Sequence, residues 1–234
     1  MWPSKTINYL QMKSKIILHN QVSLNGAFLG FEVDMEKYYS ILNSFHPQYI
    51  LIGSNTAKSG IETYYEKVPS EAPDDFRKPS IEKSDKRPYW VVPDSRGKLM
   101  GLLHTYRNAG YCKDIIVLIS RNTNEEYKQY LHERHYDFIS AGYNKVDLVN
   151  CLQKLEGKYG PGTIVTDCGR ILAKKIFELN LVSEISLILS PQLSKKKYEP
   201  LLYNLDIPKT IDLKLVSVKK LDQDLVHFKY TLLK

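Results

Sequence analysis

Hydrophobic and polar residues follow one another along the chain in blocks that predict strands and helices in turn. Short runs rich in β-branched residues predict strands, and apolar residues that recur every three or four positions predict helices. The predicted strands are 15–22, 49–52, 89–92, 115–119, 137–140, 163–166, 184–190, 211–218 and 225–232. The predicted helices follow Asp34, cover 125–133 with Asn122 or Asn124 as cap, begin near Leu148, and cover 171–179.

The order of these elements predicts the fold class. Strands that alternate with helices are typical of an α/β protein with a mostly parallel sheet. The last two strands flank the polar residues 222–224, which predicts a C-terminal antiparallel hairpin. Residues 59–88 contain four prolines and many charges, and no regular structure is predicted for them. We therefore interpret 59–88 as a long loop or insertion within a single domain that spans 1–234.

Polar residues and glycines gather where several predicted strands end, and this suggests where a ligand binds. These positions are 23–26, 53–56, 94–97, 120–121 and 167–170. Because the carboxyl ends of parallel strands lie along one edge of a sheet, these residues are expected to meet there. The last group opens a helix, where free backbone N–H groups and the helix dipole favour phosphate. The pattern predicts a nucleotide site at this edge.

Composition narrows the class of protein. The chain has 234 residues, of which 43% are apolar and 25% charged, which is ordinary for a soluble globular protein. No apolar run approaches the ~20 residues of a membrane span, and the N-terminus has no apolar secretory segment. We therefore expect a cytoplasmic protein with no membrane partner. Three cysteines without C-x-x-C spacing argue against a disulfide framework and a zinc knuckle.

Charge leaves the partner open. The net charge of +7 suits an anionic partner, either nucleic acid or a phosphorylated small molecule or cofactor. No nucleic-acid recognition motif is present, and the basic run 195–197 is expected to be a solvated loop. His132 and His135 lie one helical turn apart without a third ligand, so no metal site is expected. Cys168 is expected to be a small buried residue rather than a nucleophile.

Four motifs occur in order along the chain. A strand precedes S-x-[DN]-G at 23–26, a second precedes G-x-x-T at 53–56, and P-Y-W-V-V-P-D-S-R-G-K-L fills 88–99. Then acid-x-G at 167–169 precedes L-x-x-x-[IL]-x-x-x-x-L-V-[SD]-E-[IL]. Over roughly 15–193 and the hairpin, the chain resembles the reductase of riboflavin biosynthesis. That reductase is the C-terminal domain of the bacterial deaminase–reductase and a free-standing protein in archaea and fungi.

The resemblance implies a dihydrofolate-reductase-like three-layer fold, a homodimer, and NADPH as cofactor for the reduction of a pyrimidine or pterin-like ribosylamine. NADPH would be held by Gly53, Thr56, Ser95, Arg96, Cys168, Gly169, Arg170, Ile171 and Leu172. A guanidinium group at Arg96 or Arg121 suits a 2′-phosphate. The substrate would be bound by Ser23, Asn25 and Asp167. Asn25 and Asp167 would be the catalytic residues, with Asp167 the proton donor or relay.

Three departures from the family pattern keep other functions open. Asn25 replaces the usual Asp, Asp167 replaces the usual Glu, and the D-D-P…R segment that grips a ribose phosphate has no counterpart near 60–66. The alternatives are a catalytically silent nucleotide-binding or regulatory homologue and a dihydrofolate-reductase-like enzyme with another substrate.

Simpler structural roles are also open for the candidate site residues. Asp167 could cap the helix at Arg170, and 23–25, Thr56 and 95–96 could be ordinary turns. Tyr64 and Tyr65 could line a pocket for an aromatic ring.

Overall fold

In the computed structural model, the described residues, 12–195, 200, 202 and 210–233, contain nine strands in one sheet. The strands are β1 (Lys15–Ser23), β2 (Tyr49–Ile52), β3 (Tyr89–Pro93), β4 (Ile115–Ile119), β5 (Asp137–Ser140), β6 (Thr163–Asp167), β7 (Glu184–Ser190), β8 (Leu213–Lys220) and β9 (Val226–Leu232). The helices are α1 (Met35–Ser44), α2 (Ser54–Tyr64), α3 (Leu103–Asn108), α4 (Glu125–Glu133), α5 (Leu148–Tyr159) and α6 (Arg170–Glu178). Two short 3-10 turns lie at Pro73–Phe76 and Asp222–Asp224.

The sheet is mostly parallel. Its strand order is β5-β4-β3-β2-β6-β1-β7-β9-β8, and all pairs from β5 to β7 are parallel. β9 runs antiparallel to both β7 and β8, which forms the predicted C-terminal hairpin. The predicted fold class is thus confirmed. The order also makes β3, β2 and β6 direct neighbours, so residues that follow these three strands emerge side by side.

The sheet separates two hydrophobic cores. Successive strand residues point to opposite faces, so Ile16 packs in one core and Ile17 in the other. The first core contains apolar residues of α5 and α6, and the second contains those of α1, α3 and α4. β4 is buried along its whole length, as expected for a central parallel strand covered on both faces. This arrangement is the three-layer architecture.

Side-chain caps fix where the helices begin. The Asp34 carboxylate accepts a hydrogen bond from the Lys37 amide at 2.8 Å and starts α1 as predicted. Of the two predicted caps for α4, Asn124 is the one used, since its side-chain oxygen accepts from the Glu126 amide.

The structure corrects the prediction for 59–88 and adds two helices that were not predicted, α2 and α3. Residues 59–64 continue α2, and 73–76 form a 3-10 turn, so these two parts are not irregular. Their helical signal is weak because α2 buries only Ala57 and Ile61. Helix α3 was not predicted, since its six residues are too few to show a helical period.

The stretch after α2 is tied to the helices by buried and half-buried polar contacts. Glu71 forms a bidentate pair with Arg134 at 2.6 and 2.8 Å, and Asp75 accepts from the Asn108 side chain at 2.9 Å. Of the predicted basic run, residues 196 and 197 lie outside the described residues. In the described part of the chain, no helix is long and apolar enough to cross a membrane.

Candidate active site

The cofactor residues predicted from sequence lie at the carboxyl ends of three neighbouring strands. Ile52 of β2 pairs with Asp167 of β6, so Gly53 and Cys168 leave the sheet next to each other. β3 lies on the other side of β2 and leads into the turn that carries Ser95. The structure therefore brings the 53–56, 94–97 and 167–170 groups to one edge of the sheet.

The first turns of α2 and α6 are in direct contact. The Thr56 hydroxyl oxygen accepts a hydrogen bond from the Gly169 amide at 3.1 Å. A Cβ atom on Gly169 would lie 3.3 Å from that oxygen and 3.4 Å from the Phe28 ring, so this close approach favours glycine. Thr56 consequently joins two strand ends 113 residues apart and is not a local turn residue.

Both helices begin at glycines and have no side-chain cap. Gly53 is the N-cap of α2, Gly169 is the N-cap of α6, and neither cap position makes a side-chain hydrogen bond. A Cβ atom on Gly53 would touch Leu172 and Thr56 at 3.7–3.8 Å. Amide groups in the first turn of a helix are the donors that bind phosphate oxygens. Two such turns converge at this point.

The turn after β3 is fixed beside α2. The Ser95 carbonyl accepts a hydrogen bond from the Thr123 hydroxyl at 3.2 Å, and the Lys98 ammonium group donates to the Asn55 side chain at 2.5 Å. Ser95 is half-buried, whereas Arg96 is exposed. The Lys98 contact therefore ties the turn that carries Ser95 and Arg96 to the first turn of α2.

In the first turn of α6, Arg170 and Ile171 are exposed and Leu172 is half-buried. Cys168 is buried, and burial raises the pKa of its thiol to about 12, so the prediction of a small buried residue is confirmed. The described residues contain no group of three or more His, Cys, Asp or Glu side chains that could hold a metal ion. His132 instead packs edge-on against Phe138.

Asp167 binds two tyrosine hydroxyls. One carboxylate oxygen accepts from the Tyr38 hydroxyl at 3.1 Å and the other from the Tyr39 hydroxyl at 2.9 Å. Burial raises the pKa of the Asp167 carboxyl, and the two tyrosine hydrogen bonds oppose that rise. The alternative that Asp167 caps α6 is wrong, because Gly169 occupies the cap position.

These two tyrosines were not predicted as site residues. They precede Asp167 by 129 and 128 residues, and no sequence motif contains them. The one available signal was the apolar face of α1, which identified Tyr38 as a core position.

Further tyrosines surround the Asp167 group. Tyr39 is half-buried and packs edge-on against Tyr38, with ring centroids 5.2 Å apart. Tyr64 lies close enough to contribute to the raised pKa of Tyr39, and both Tyr64 and Tyr65 contribute to the raised pKa of Tyr106. Tyr64 is 70% exposed. Tyr64 and Tyr65, which the sequence singled out, thus lie at the surface at the end of α2.

Ser23 and Asn25 hold the turn after β1. Ser23 is fully buried, and its hydroxyl donates to the Asn25 side-chain oxygen at 2.7 Å. The Asn25 carboxamide also accepts from the Ser194 amide and donates to the Ser194 carbonyl, both at 3.0 Å. Asn25 therefore clamps the β1 turn to the segment after β7, whereas Asp167 binds α1. A carboxylate at position 25 could not donate a hydrogen bond to the Ser194 carbonyl. This contact is a structural reason for asparagine rather than aspartate at this position.

One contact links the β1 side to the glycine turn and was not predicted. The Asn20 side chain donates to the Cys168 carbonyl at 2.9 Å. It positions the start of the 168–172 turn from the neighbouring strand. An open cleft of about 500 Å³ lies elsewhere, between the β3–α3 connection and α4, and is lined by Met100, Gly101, Glu126, Gln129, Tyr130, Glu133 and Arg134. Its acidic lining does not suit an anionic cofactor.

Comparison with known families supports the motif resemblance. The family model described as the RibD C-terminal domain matches residues 40–227, well over half of the chain. None of the curated proteins searched matches this chain.

Several solved structures have the same fold. A pyrimidine reductase-like protein from Corynebacterium diphtheriae is 16% identical, with a TM-score of 0.69 over 94% of this chain and 92% of that one. The riboflavin biosynthesis reductase Rib7 of Saccharomyces cerevisiae is 13% identical, with a TM-score of 0.65 over 94% and 90%. RibD of Acinetobacter baumannii is 14% identical, with a TM-score of 0.64 over 94% and 58%. The similarity confirms the predicted fold.

Proposed function

The chain belongs to the RibD C-terminal domain family, and we propose that it is an NADPH-dependent reductase of a ribosylamine on a pyrimidine or related heteroaromatic ring. The observation that carries the proposal is the meeting of two uncapped helix N-termini, joined by the 3.1 Å hydrogen bond from the Gly169 amide to Thr56. The homodimer remains a prediction of the family resemblance, and a cytoplasmic protein of one domain remains a prediction from composition and sequence pattern.

The residues at this edge fit a nucleotide cofactor. Glycines at 53 and 169 let the two helices approach, and first-turn amides and the Thr56 and Ser95 hydroxyls suit phosphate and ribose oxygens. Arg96 is exposed beside them, where a guanidinium group can pair with a 2′-phosphate. Cys168 and residues 170–172 would complete the turn against the dinucleotide. When bound, NADPH would supply the hydride.

On the substrate side, Asp167 would be the proton donor. Asp167 has a raised pKa and carries two tyrosine hydroxyls, so it is suited to hold a proton that the reduced substrate needs. Ser23 and Asn25 would bound the substrate from the β1 turn, which their hydrogen bonds keep in place. We propose no metal and no nucleic-acid partner.

A catalytically silent nucleotide-binding homologue is the second candidate. The two hydrogen bonds between the Asn25 carboxamide and Ser194 favour the silent homologue, because they give that side chain a structural role. Both candidates bind NADPH, but only the reductase oxidises it.

The experiment follows NADPH in two steps. Thermal unfolding should shift upward with NADPH concentration, and less with NADH, since a ligand that binds the native state stabilises it. Absorbance of NADPH should then fall when 5-amino-6-(5-phosphoribosylamino)uracil is added. A shift without oxidation supports the silent homologue, and the absence of any shift contradicts both candidates.

A further inference from the structure

Both oxygen atoms of the Asp167 carboxyl group are engaged by tyrosine hydroxyls. Each oxygen of the carboxyl group accepts a hydrogen bond from a different tyrosine, Tyr38 at 3.1 Å and Tyr39 at 2.9 Å. Asp167 is half-buried and lies on the face of the sheet that α1 covers. A substrate that needs a proton from Asp167 would therefore receive it through one of these hydroxyls.

Tyr38 and Tyr39 differ in their burial and in their neighbouring side chains. Tyr38 is buried, its ring packs 4.5 Å from the His19 ring, and its backbone carbonyl accepts a hydrogen bond from His19. Tyr39 is half-buried and lies toward Tyr64 and Tyr106. Of the two tyrosines that bind Asp167, Tyr39 is therefore the one whose side chain is partly exposed.

From this geometry we infer that Tyr39 is a catalytic residue of the proposed reductase, contacting the substrate and passing the Asp167 proton to it. The inference rests on the proposed function. With Asp167 protonated, its proton moves to the Tyr39 oxygen while the Tyr39 proton moves to the substrate nitrogen. Asp167 ends as a carboxylate and regains a proton from water. Bound NADPH would supply the hydride for the new C–H bond as the C=N bond becomes C–N, so that one hydride and one proton would be consumed.

The electrostatics of the group agree with this role. Burial raises the pKa of Asp167, and the two tyrosine hydroxyls act to lower it. Each tyrosine hydrogen bond favours the carboxylate, so removing either should raise the Asp167 pKa.

Two matched variants separate the relay from a structural role. Tyr39→Phe and Tyr38→Phe each delete one hydroxyl bound to Asp167. If Tyr39 carries the proton, Tyr39→Phe should lower kcat about 10²-fold or more at every pH, as expected for loss of a general acid. Tyr38→Phe should keep kcat within about tenfold of wild type and move the alkaline fall in kcat to higher pH. NADPH affinity should change less than about twofold in both, because neither residue touches the cofactor turns.

A second readout does not depend on turnover. The ¹³C resonance of the Asp167 carboxyl should titrate at higher pH in both variants. An unchanged titration in Tyr39→Phe, or equal kcat losses in the two variants, would overturn the role of Tyr39 and leave the proposed reductase standing. A wild-type protein that binds but does not oxidise NADPH would instead overturn the proposed function.

Discussion

The proposed cofactor side and the proposed substrate side of the site are built in different ways. The cofactor side uses glycines, hydroxyls and backbone amides that lie within a few residues of the ends of β2, β3 and β6. The substrate side is assembled from distant residues, since Asp167 is bound by tyrosines of α1. Short motifs therefore locate the cofactor side, and only the folded chain reveals the substrate side.

The largest effect should come from the substrate side. Asp167→Asn removes the acidic proton but keeps an oxygen for one tyrosine, so we expect kcat to fall 10²- to 10⁴-fold, as for loss of a general acid. NADPH binding should remain close to wild type. Steady-state kinetics and an NADPH titration measure the two effects, and a parallel loss of affinity would mean that the two sides are not separate.

A change on the cofactor side should instead lower the affinity for NADPH. Gly169→Val places a branched side chain where even a Cβ atom would meet Thr56 and Phe28 at 3.3–3.4 Å. Overpacking of this kind costs about 1–3 kcal/mol, which corresponds to roughly a ten- to hundredfold loss of NADPH affinity if the turn must move. Gly157→Ala is the control, because a Cβ atom there meets nothing within 4 Å. Equal NADPH affinity in the Gly169 variant would remove this turn from the site.

Low pH should lower the stability of the fold through His19, which packs against Tyr38 on the substrate side. His19 packs beneath Tyr38, and burial lowers the pKa of its imidazole from 6.5 to about 3. Because the folded pKa is lower than the unfolded pKa, the contribution to stability is complete above pH 6.5 and is lost as pH falls toward 3. At pH 5 the loss is about 2 kcal/mol.

Urea unfolding at several pH values measures this loss. His227 bonds to the same Ser186 hydroxyl and also has a lowered pKa, so it adds in the same direction. His19→Gln should flatten the dependence between pH 6.5 and 4. If the unfolding free energy of the variant falls with pH as steeply as that of wild type, other groups cause the acid sensitivity.

The smallest effect should come from the β1 turn. Asn25→Asp loses the hydrogen bond to the Ser194 carbonyl and places a negative charge beside it, which should cost about 1 kcal/mol of unfolding free energy. Asn43→Asp adds the same charge at an exposed position of α1 and is the control. Chemical denaturation checks both, and a variant as stable as wild type would show that the amide is not needed for the clamp.

Local pattern predicted most of the fold. The bounds of β2, β4, β5, β7 and α4 agree with the predicted ones, because continuous apolar runs and an Asn124 cap mark them clearly. Helix α3 was missed because it is short, and α2 was missed because Gly60 and polar residues dilute its pattern.

The same limit applies to the site. Thr56 and Gly169 follow strand ends and could be read from sequence, although their mutual hydrogen bond could not. The roles of Tyr38, Tyr39 and Asn20 depend on contacts between residues more than 120 positions apart, which no local pattern records.

Hydrogen exchange with and without NADPH tests the central claim most directly. If the cofactor lies across the ends of β3, β2 and β6, NADPH should slow amide exchange in 53–57, 95–98 and 168–173. Peptides from the cleft between the β3–α3 connection and α4 should exchange at the same rate in both samples. Protection confined to that cleft, with no change at 168–173, would contradict the proposed site.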